Sequence, residues 1–319
     1  MVPIRKILIS NITGYKAVVI STYLKKIYDD IYILGIDNKN KSTLFHTNSI
    51  DEFLQIDTQN NYIDFIKELI VDENIDLFIP THSDEMDLLL QNKSKFRKSL
   101  DYFGSYESYS SLNNKISLNK ICKKLNINVP KTYYQLKEAK VPFIVKPSQS
   151  SASRGVMYVF DKPSYEKASN VYENRDDVII QEYIEGAGVG YSFFAKDGEI
   201  IVGSGHRRMA EYPISGGSSV YRENYSDERM KEISSKIISH LNWSGFTMFE
   251  FKLTDKNELF LIYHHIVKHK YQFCFLHRHT SYNEKFDDQT YRPKYAFYLF
   301  FYRNICFDTF RLGNTYFIY

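Results

Sequence analysis

The chain of 319 residues predicts an α/β domain on an open, mostly parallel sheet, followed by an antiparallel α+β unit. Three observations predict this. Residues 1–105 alternate short apolar runs with segments of helical period, as expected for strands covered on both faces by crossover helices. From residue 141 the pattern changes to strand pairs closed by Asp197-Gly198 and Asp255-Lys-Asn257, which are hairpin turns. After Ile262 the composition shifts and neither period runs cleanly.

In order along the chain, Lys6–Ser10 reads as a buried strand, Asn11–Gly14 as a turn and Lys16–Tyr28 as a helix with apolar residues at helical spacing. Ile31–Ile36 is a second strand ending at Asp37, and Phe53–Ile56 a third. Tyr62–Val71 is helical, Leu77–Pro80 a strand, Asp84–Leu90 the start of a helix and Tyr102–Ser105 the last strand of the sheet. Ser117–Leu125 is a connecting helix, and Asn128-Val-Pro-Lys131 turns into an extended segment. Phe143–Lys146 and Val156–Phe160 flank a loop of small residues, Tyr165–Tyr172 is a short helix and Val178–Tyr183 a strand. Tyr191–Ala195 pairs with Glu199–Gly203, Asp227–Leu241 is a helix, and Phe246–Leu253 pairs with Leu259–Ile262.

Composition excludes several classes. A net charge of +3 with 25% charged residues shows no basic or acidic tail of the kind that binds nucleic acid or a membrane surface. Cys122, Cys274 and Cys306 are too widely spaced for a metal pattern and odd in number, which fits a reducing cytoplasm. Met1-Val-Pro-Ile-Arg-Lys6 runs straight into a strand without a signal sequence, and no apolar stretch approaches the ~18 residues of a membrane span. A cytoplasmic protein without nucleic-acid or membrane partners is expected.

The chemistry concentrates in four segments. In Phe143-Ile-Val-Lys-Pro-Ser-Gln-Ser-Ser-Ala-Ser-Arg-Gly155 a strand delivers the Lys146 ammonium, and short residues let backbone N–H groups approach an anion. A surface strand ending in a polar turn is the plainer reading of that segment alone. Val178-Ile-Ile-Gln-Glu-Tyr-Ile-Glu-Gly186 is an apolar strand that ends in polar residues and could lay backbone against an adenine edge. Asn114-Lys115 precedes a helix and offers a second phosphate-directed cation. In Phe249-Glu250-Phe251, alternation turns Glu250 away from its neighbours, making it either solvated or a metal ligand.

In this order and at these spacings, the four segments resemble the ATP-grasp superfamily, in particular ligases related to carbamoyl-phosphate synthase large subunits. The resemblance covers roughly residues 3–262. It implies a Rossmann-like (pre-ATP-grasp) domain over 1–110 and an ATP-grasp domain over 111–262, in two α+β lobes (111–183 and 184–262) that grip ATP. Residues 263–319 then form an atypical segment. The implied reaction activates a small carboxylate as an acyl phosphate, which an amine captures, with ATP and Mg2+ as cofactors. Lys146 and Lys115 would face the phosphates, with the loop carrying Ser148, Ser151, Ser153 and Gly155 as a flap over them. The run Gln181, Glu182, Tyr183, Ile184 and Glu185 would hold the nucleoside, with backbone of Gln181 and Tyr183 on adenine and either Glu182 or Glu185 on the ribose. Glu250 would be the first magnesium ligand. His206-Arg-Arg208 and Tyr212-Pro-Ile-Ser-Gly-Gly-Ser-Ser219 resemble the carbamoyl-phosphate-synthase-like subset, where Arg207 and Arg208 would bind carboxylate or phosphoryl oxygens. A surface turn with solvated arginines is the alternative. In the N-terminal domain Asn11–Gly14 and Thr81-His-Ser-Asp-Glu85 lie at carboxyl ends of strands and are candidates to help form the acceptor site, with His82 read as an ordinary polar residue.

One piece is missing. The family pattern ends its last strand in Glu-x-Asn, the Glu bridging two magnesium ions, whereas this chain has Tyr263, His264 and His265. Either the protein is a degenerate form that binds nucleotide without catalysis, or its C-terminal segment has been replaced, for instance by a frameshift. A transition-metal site of His264, His265 and His269 is a third, weaker reading. Residues 263–319 carry 18 Phe and Tyr and five of the nine His, and could form an interface in a homo-oligomer or dock on the body.

Overall fold

The computed structural model describes residues 4–28, 30–39, 47–57, 61–96, 98–149, 155–212 and 218–266. The first sheet holds β1 (Lys6–Ser10), β2 (Tyr32–Asp37), β3 (Glu52–Gln55) and β4 (Leu77–Ile79), all parallel, in the order β3-β2-β1-β4. The central strands are apolar along their length because α1 (Tyr15–Ile27), α2 (Tyr62–Asp72) and α3 (Ser83–Gln91) pack on them. In α1, Ala17, Ile20 and Leu24 supply the buried stripe.

The strand expected at Tyr102–Ser105 is absent. Those residues form a turn, with the Tyr102 hydroxyl donating to the Phe78 carbonyl at 2.8 Å and the Gly104 N–H donating to Ser244 O at 2.7 Å. Gly104 therefore bonds to the C-terminal half instead of extending the sheet. Ser105 then caps α4 (Tyr106–Asn113), a helix not foreseen. Asn114 caps α5 (Lys115–Lys124) by accepting from Ile116 and Ser117 N–H, so this helix starts two residues before the expected Ser117 and puts Lys115 in its first turn.

The second sheet is antiparallel, in the order β5-β8-β6-β7, from β5 (Thr132–Tyr133), β6 (Phe143–Pro147), β7 (Met157–Val159) and β8 (Val178–Glu182). Its small core of Phe143, Val145, Val159 and Ile180 is covered by α6 (Lys162–Tyr172), which starts in a capping box of Asp161 and Ser164. The third sheet has the order β11-β10-β9-β12-β13. It comprises β9 (Ala187–Lys196), β10 (Glu199–Tyr212), β11 (Ser218–Asn224), β12 (Gly245–Leu253) and β13 (Leu259–Ile266), with α7 (Glu228–Leu241) packed on β9 and β10. The β9–β10 hairpin closes at Asp197-Gly198, both at positive φ (49° and 82°).

Two strands run further than the sequence pattern suggested. β10 continues to Tyr212 and pairs with the unforeseen β11, so Arg207 and Arg208 stand on a strand and not in a turn. β13 passes Ile262 and continues to Ile266, pairing Tyr263 with Glu250, His264 with Phe249 and His265 with Met248. From residue 267 onward, including His269, Cys274 and Cys306, the chain lies outside the described residues. Among the described residues, no helix is long and apolar enough to cross a membrane.

Candidate functional site

Lys146 bridges the second and third sheets. β6 turns Phe143 and Val145 into the small core, while the Lys146 ammonium reaches to the third sheet and donates to the Ile262 carbonyl at 3.1 Å. That carbonyl is available because β13 has a bulge. Glu250 pairs with Tyr263 and Phe251 with Leu261, leaving Ile262 as the extra residue. Burial pushes the Lys146 pKa down to about 8, and the nearby Glu250 carboxylate works against that shift.

Lys115 joins the same rim. Its backbone N–H donates to Ser148 O at 3.0 Å, and its ammonium lies 3.4 Å from the same carbonyl. The Ser148 N–H in turn donates to Asp177 O at 2.7 Å, which fixes the end of β6. Residues 150–154, and with them Ser151 and Ser153, lie outside the described residues. Gly155 has φ +71°, and its carbonyl accepts from the Tyr172 hydroxyl at 2.5 Å.

The expected nucleoside run divides. Gln181 is buried in β8 between Thr132 and Ile144. Glu182 is engaged locally, with its carboxylate accepting from Lys131 N–H at 2.7 Å and its own N–H donating to Lys131 O. The Tyr183 N–H donates to Pro142 O, and its ring meets Phe160 and Tyr158 edge-on at 5.2 and 6.2 Å. Ile184 is half-buried and Glu185 is exposed to solvent.

On the opposite wall, the two arginines separate. The Arg207 guanidinium lies over the Tyr225 ring at 4.7 Å and 3.9 Å from Glu223. Arg208 binds two carboxylates, Glu250 through Nη2 and Glu211 through Nη1, the latter at 3.0 Å. Burial alone would lower the Arg208 pKa, but Glu250 and Glu211 together raise it. The Lys252 ammonium and the Tyr158 phenol also lie within electrostatic reach of Glu211, Arg208 and Glu250, and Lys252 donates to Gly186 O at 2.9 Å. Burial lowers the Lys252 pKa and raises that of Tyr158.

Sequence reasoning missed Glu211, Lys252 and Tyr158. Lys252 had a signal, since it lies two residues from Glu250 on one strand and hence on the same face. Glu211 had none, because irregular pairing between Arg208 and Glu211 brings these two residues of β10 together.

The motif at the ends of β1 and β4 converges on one carboxylate. The Glu85 carboxylate accepts from Ser10 and Tyr62 hydroxyls at 2.5 and 2.7 Å, from Asn11 Nδ2 and from His82 N–H. Burial raises its pKa against these donors.

Residues 112–262 match the family described as the ATP-grasp domain. These residues form an ATP-grasp domain. Solved structures with the same fold support the assignment. One is the biotin carboxylase domain of Hydrogenobacter thermophilus 2-oxoglutarate carboxylase, in complex with MgADP, ADP and bicarbonate (TM-score 0.60, 14% identity, 82% of this chain and 64% of that one). Another is the L-amino acid ligase of Bacillus licheniformis (TM-score 0.60, 12% identity, 82% and 66%). A third is N5-carboxyaminoimidazole ribonucleotide synthetase of Thermotoga maritima (TM-score 0.58, 15% identity, 82% and 68%). The chain thus spans less than two thirds of the biotin carboxylase domain it matches. No curated protein sequence matches it.

The Hydrogenobacter thermophilus structure holds MgADP. Mg2+ takes hard oxygen ligands in octahedral geometry. Glu250 is such a ligand, but its carboxylate is held by Arg208, and its ladder partner is Tyr263. Among the described residues, no group of three or more His, Cys, Asp or Glu could hold a metal ion. The described residues of this ATP-grasp domain do not fit a two-magnesium set.

Proposed function

We propose that the ATP-grasp cleft binds ATP, on the plan of an ATP-dependent ligase that activates a small carboxylate for capture by an amine. Lys146 carries this reading. A lysine is buried only at a high price in solvation, and here a carbonyl and the nearby Glu250 carboxylate are its compensation. A phosphate would complete that compensation. Lys115 and the loop of Ser148, Ser151, Ser153 and Gly155 would contribute to the same phosphate cradle, and the stretch from Gln181 to Ile184 would line the base. Glu185 would take the ribose, because Glu182 already serves the Lys131 backbone. Arg207, the more exposed of the two arginines, would meet a substrate carboxylate, the finer assignment that keeps the carbamoyl-phosphate-synthase-like subset in view.

Lys146→Ala tests the binding site. ATP affinity measured by calorimetry should be lost while the circular dichroism spectrum is retained, and an unchanged affinity would refute the assignment. A second reading is a nucleotide-binding protein without ligase turnover. The Arg208–Glu250 pair and Tyr263 at the position opposite Glu250 favour it. ADP release from ATP, stimulated by a carboxylate–amine pair, separates the two readings: turnover selects the ligase, and its absence with intact binding selects the second.

A further inference from the structure

We propose that this cleft binds its nucleoside di- or triphosphate without a divalent cation, with the Arg208 guanidinium standing where a metal would otherwise neutralise Glu250. The proposal rests on the reading of the cleft as a nucleotide site. Arg208 lies between Glu250 and Glu211, and the side chains of all three are largely buried, with 16%, 13% and 24% exposure respectively. An ion pair at this depth persists only when the charges match and the donors are satisfied. A divalent cation approaching Glu250 would have to displace the guanidinium. It would also enter a region where Lys146 and Lys252 already act on the same carboxylate, so it would meet three cations and two carboxylates. Like charges at such separations repel strongly when water is excluded.

The backbone points the same way. The residue opposite Glu250 in the ladder is Tyr263, which brings no carboxylate, and the bulge beside it turns the Ile262 carbonyl onto Lys146. A guanidinium has five N–H donors in a fixed fork, and Arg208 uses only part of them on Glu250 and Glu211. The rest can meet phosphate oxygens in the bidentate geometry that arginine favours. Lys146, Lys252 and Arg208 together leave an excess of positive charge over Glu211 and Glu250, as an anionic ligand requires.

The experiment is calorimetric titration of ATP, and separately ADP, into the full chain in EDTA and in excess magnesium. The expected result is binding in EDTA within about threefold of that in magnesium. Arg208→Met should weaken the EDTA affinity by about tenfold or more. Magnesium that tightens binding by about tenfold or more, with the gain lost in Glu250→Gln, overturns the proposal while leaving the nucleotide reading intact. Absence of binding in both conditions overturns the nucleotide reading itself. The wild-type comparison decides the question even where Arg208→Met does not fold.

Discussion

Lys146 shows at one residue how the proposed binding site would conflict with stability. Its pKa in the folded protein, about 8, lies below the ordinary 10.5, so the unfolded chain holds the proton more tightly. Below pH 8 the folded state carries the full penalty of a buried ammonium. As pH rises from about 8 to about 10.5, that penalty is relieved and folding stability should increase by about 3 kcal/mol from this group. Urea unfolding across this range should show the gain in the wild type and lose it in Lys146→Met. ATP affinity should move the other way, falling above pH 8 as the ammonium is lost, and the two trends together distinguish a binding lysine from a structural one. Glu85 makes the contrasting case. Four donors from three segments converge on it, so Glu85→Ala would strand buried hydroxyls and N–H groups, with an expected loss of about 2–4 kcal/mol and unchanged nucleotide affinity. Lys146 and Glu250 were legible in the sequence because each is a lone charge at the end of, or within, an apolar run. Glu211 was not, because its meeting with Arg208 depends on an irregular strand pairing that leaves no periodic trace.

At the scale of elements, local rules carried the reading as far as local interactions set the structure. Asp197-Gly198 announced the β9–β10 hairpin because left-handed backbone closes such a turn, whereas the cap at Asn114 went unread and the helix was placed two residues late. The misread segment, Tyr102–Ser105, has strand-like composition but spends its Gly104 N–H on Ser244, some 140 residues away, a partner no local pattern contains. The lengths of β10 and β13 were hidden for a similar reason, since both are set by pairing with neighbours. Gly155 offers a test at this scale. A Cβ there would lie 2.9 Å from both Pro147 Cγ and the Tyr172 hydroxyl, and its φ of +71° disfavours any L-residue. Gly155→Ala should cost about 1–2 kcal/mol in urea unfolding through the left-handed backbone alone. It should also weaken ATP binding, because the same turn sets the exit of the Ser-rich loop from Lys146.

Across the whole molecule, the distribution of core decides which part can move. The N-terminal sheet and the third sheet share one continuous hydrophobic core, with Trp243 fully buried against Gly104, and Phe103 against Gly245. The second sheet has its own core of Leu136, Phe143, Val145, Val159, Ala168, Tyr172 and Ile180. Among the described residues, polar links join it to the rest, including Lys146 to Ile262 O and the Lys115 N–H to Ser148 O. Small cores with few bridges open at lower free energy than large shared ones. Amides of β6 and β8 should therefore exchange with deuterium before those of β1, β9 and β12, and ATP should slow the first group selectively by closing the cleft around Lys146. Trp243→Ala should instead lower protection across both the N-terminal and third sheets together, by about 3–5 kcal/mol, because it opens a cavity in the core they share. Equal exchange rates in β6 and β9 without ligand would mean that the second sheet is locked to the body. The nucleotide would then have to enter a cleft already closed, and the slow association this demands would be visible in stopped-flow binding.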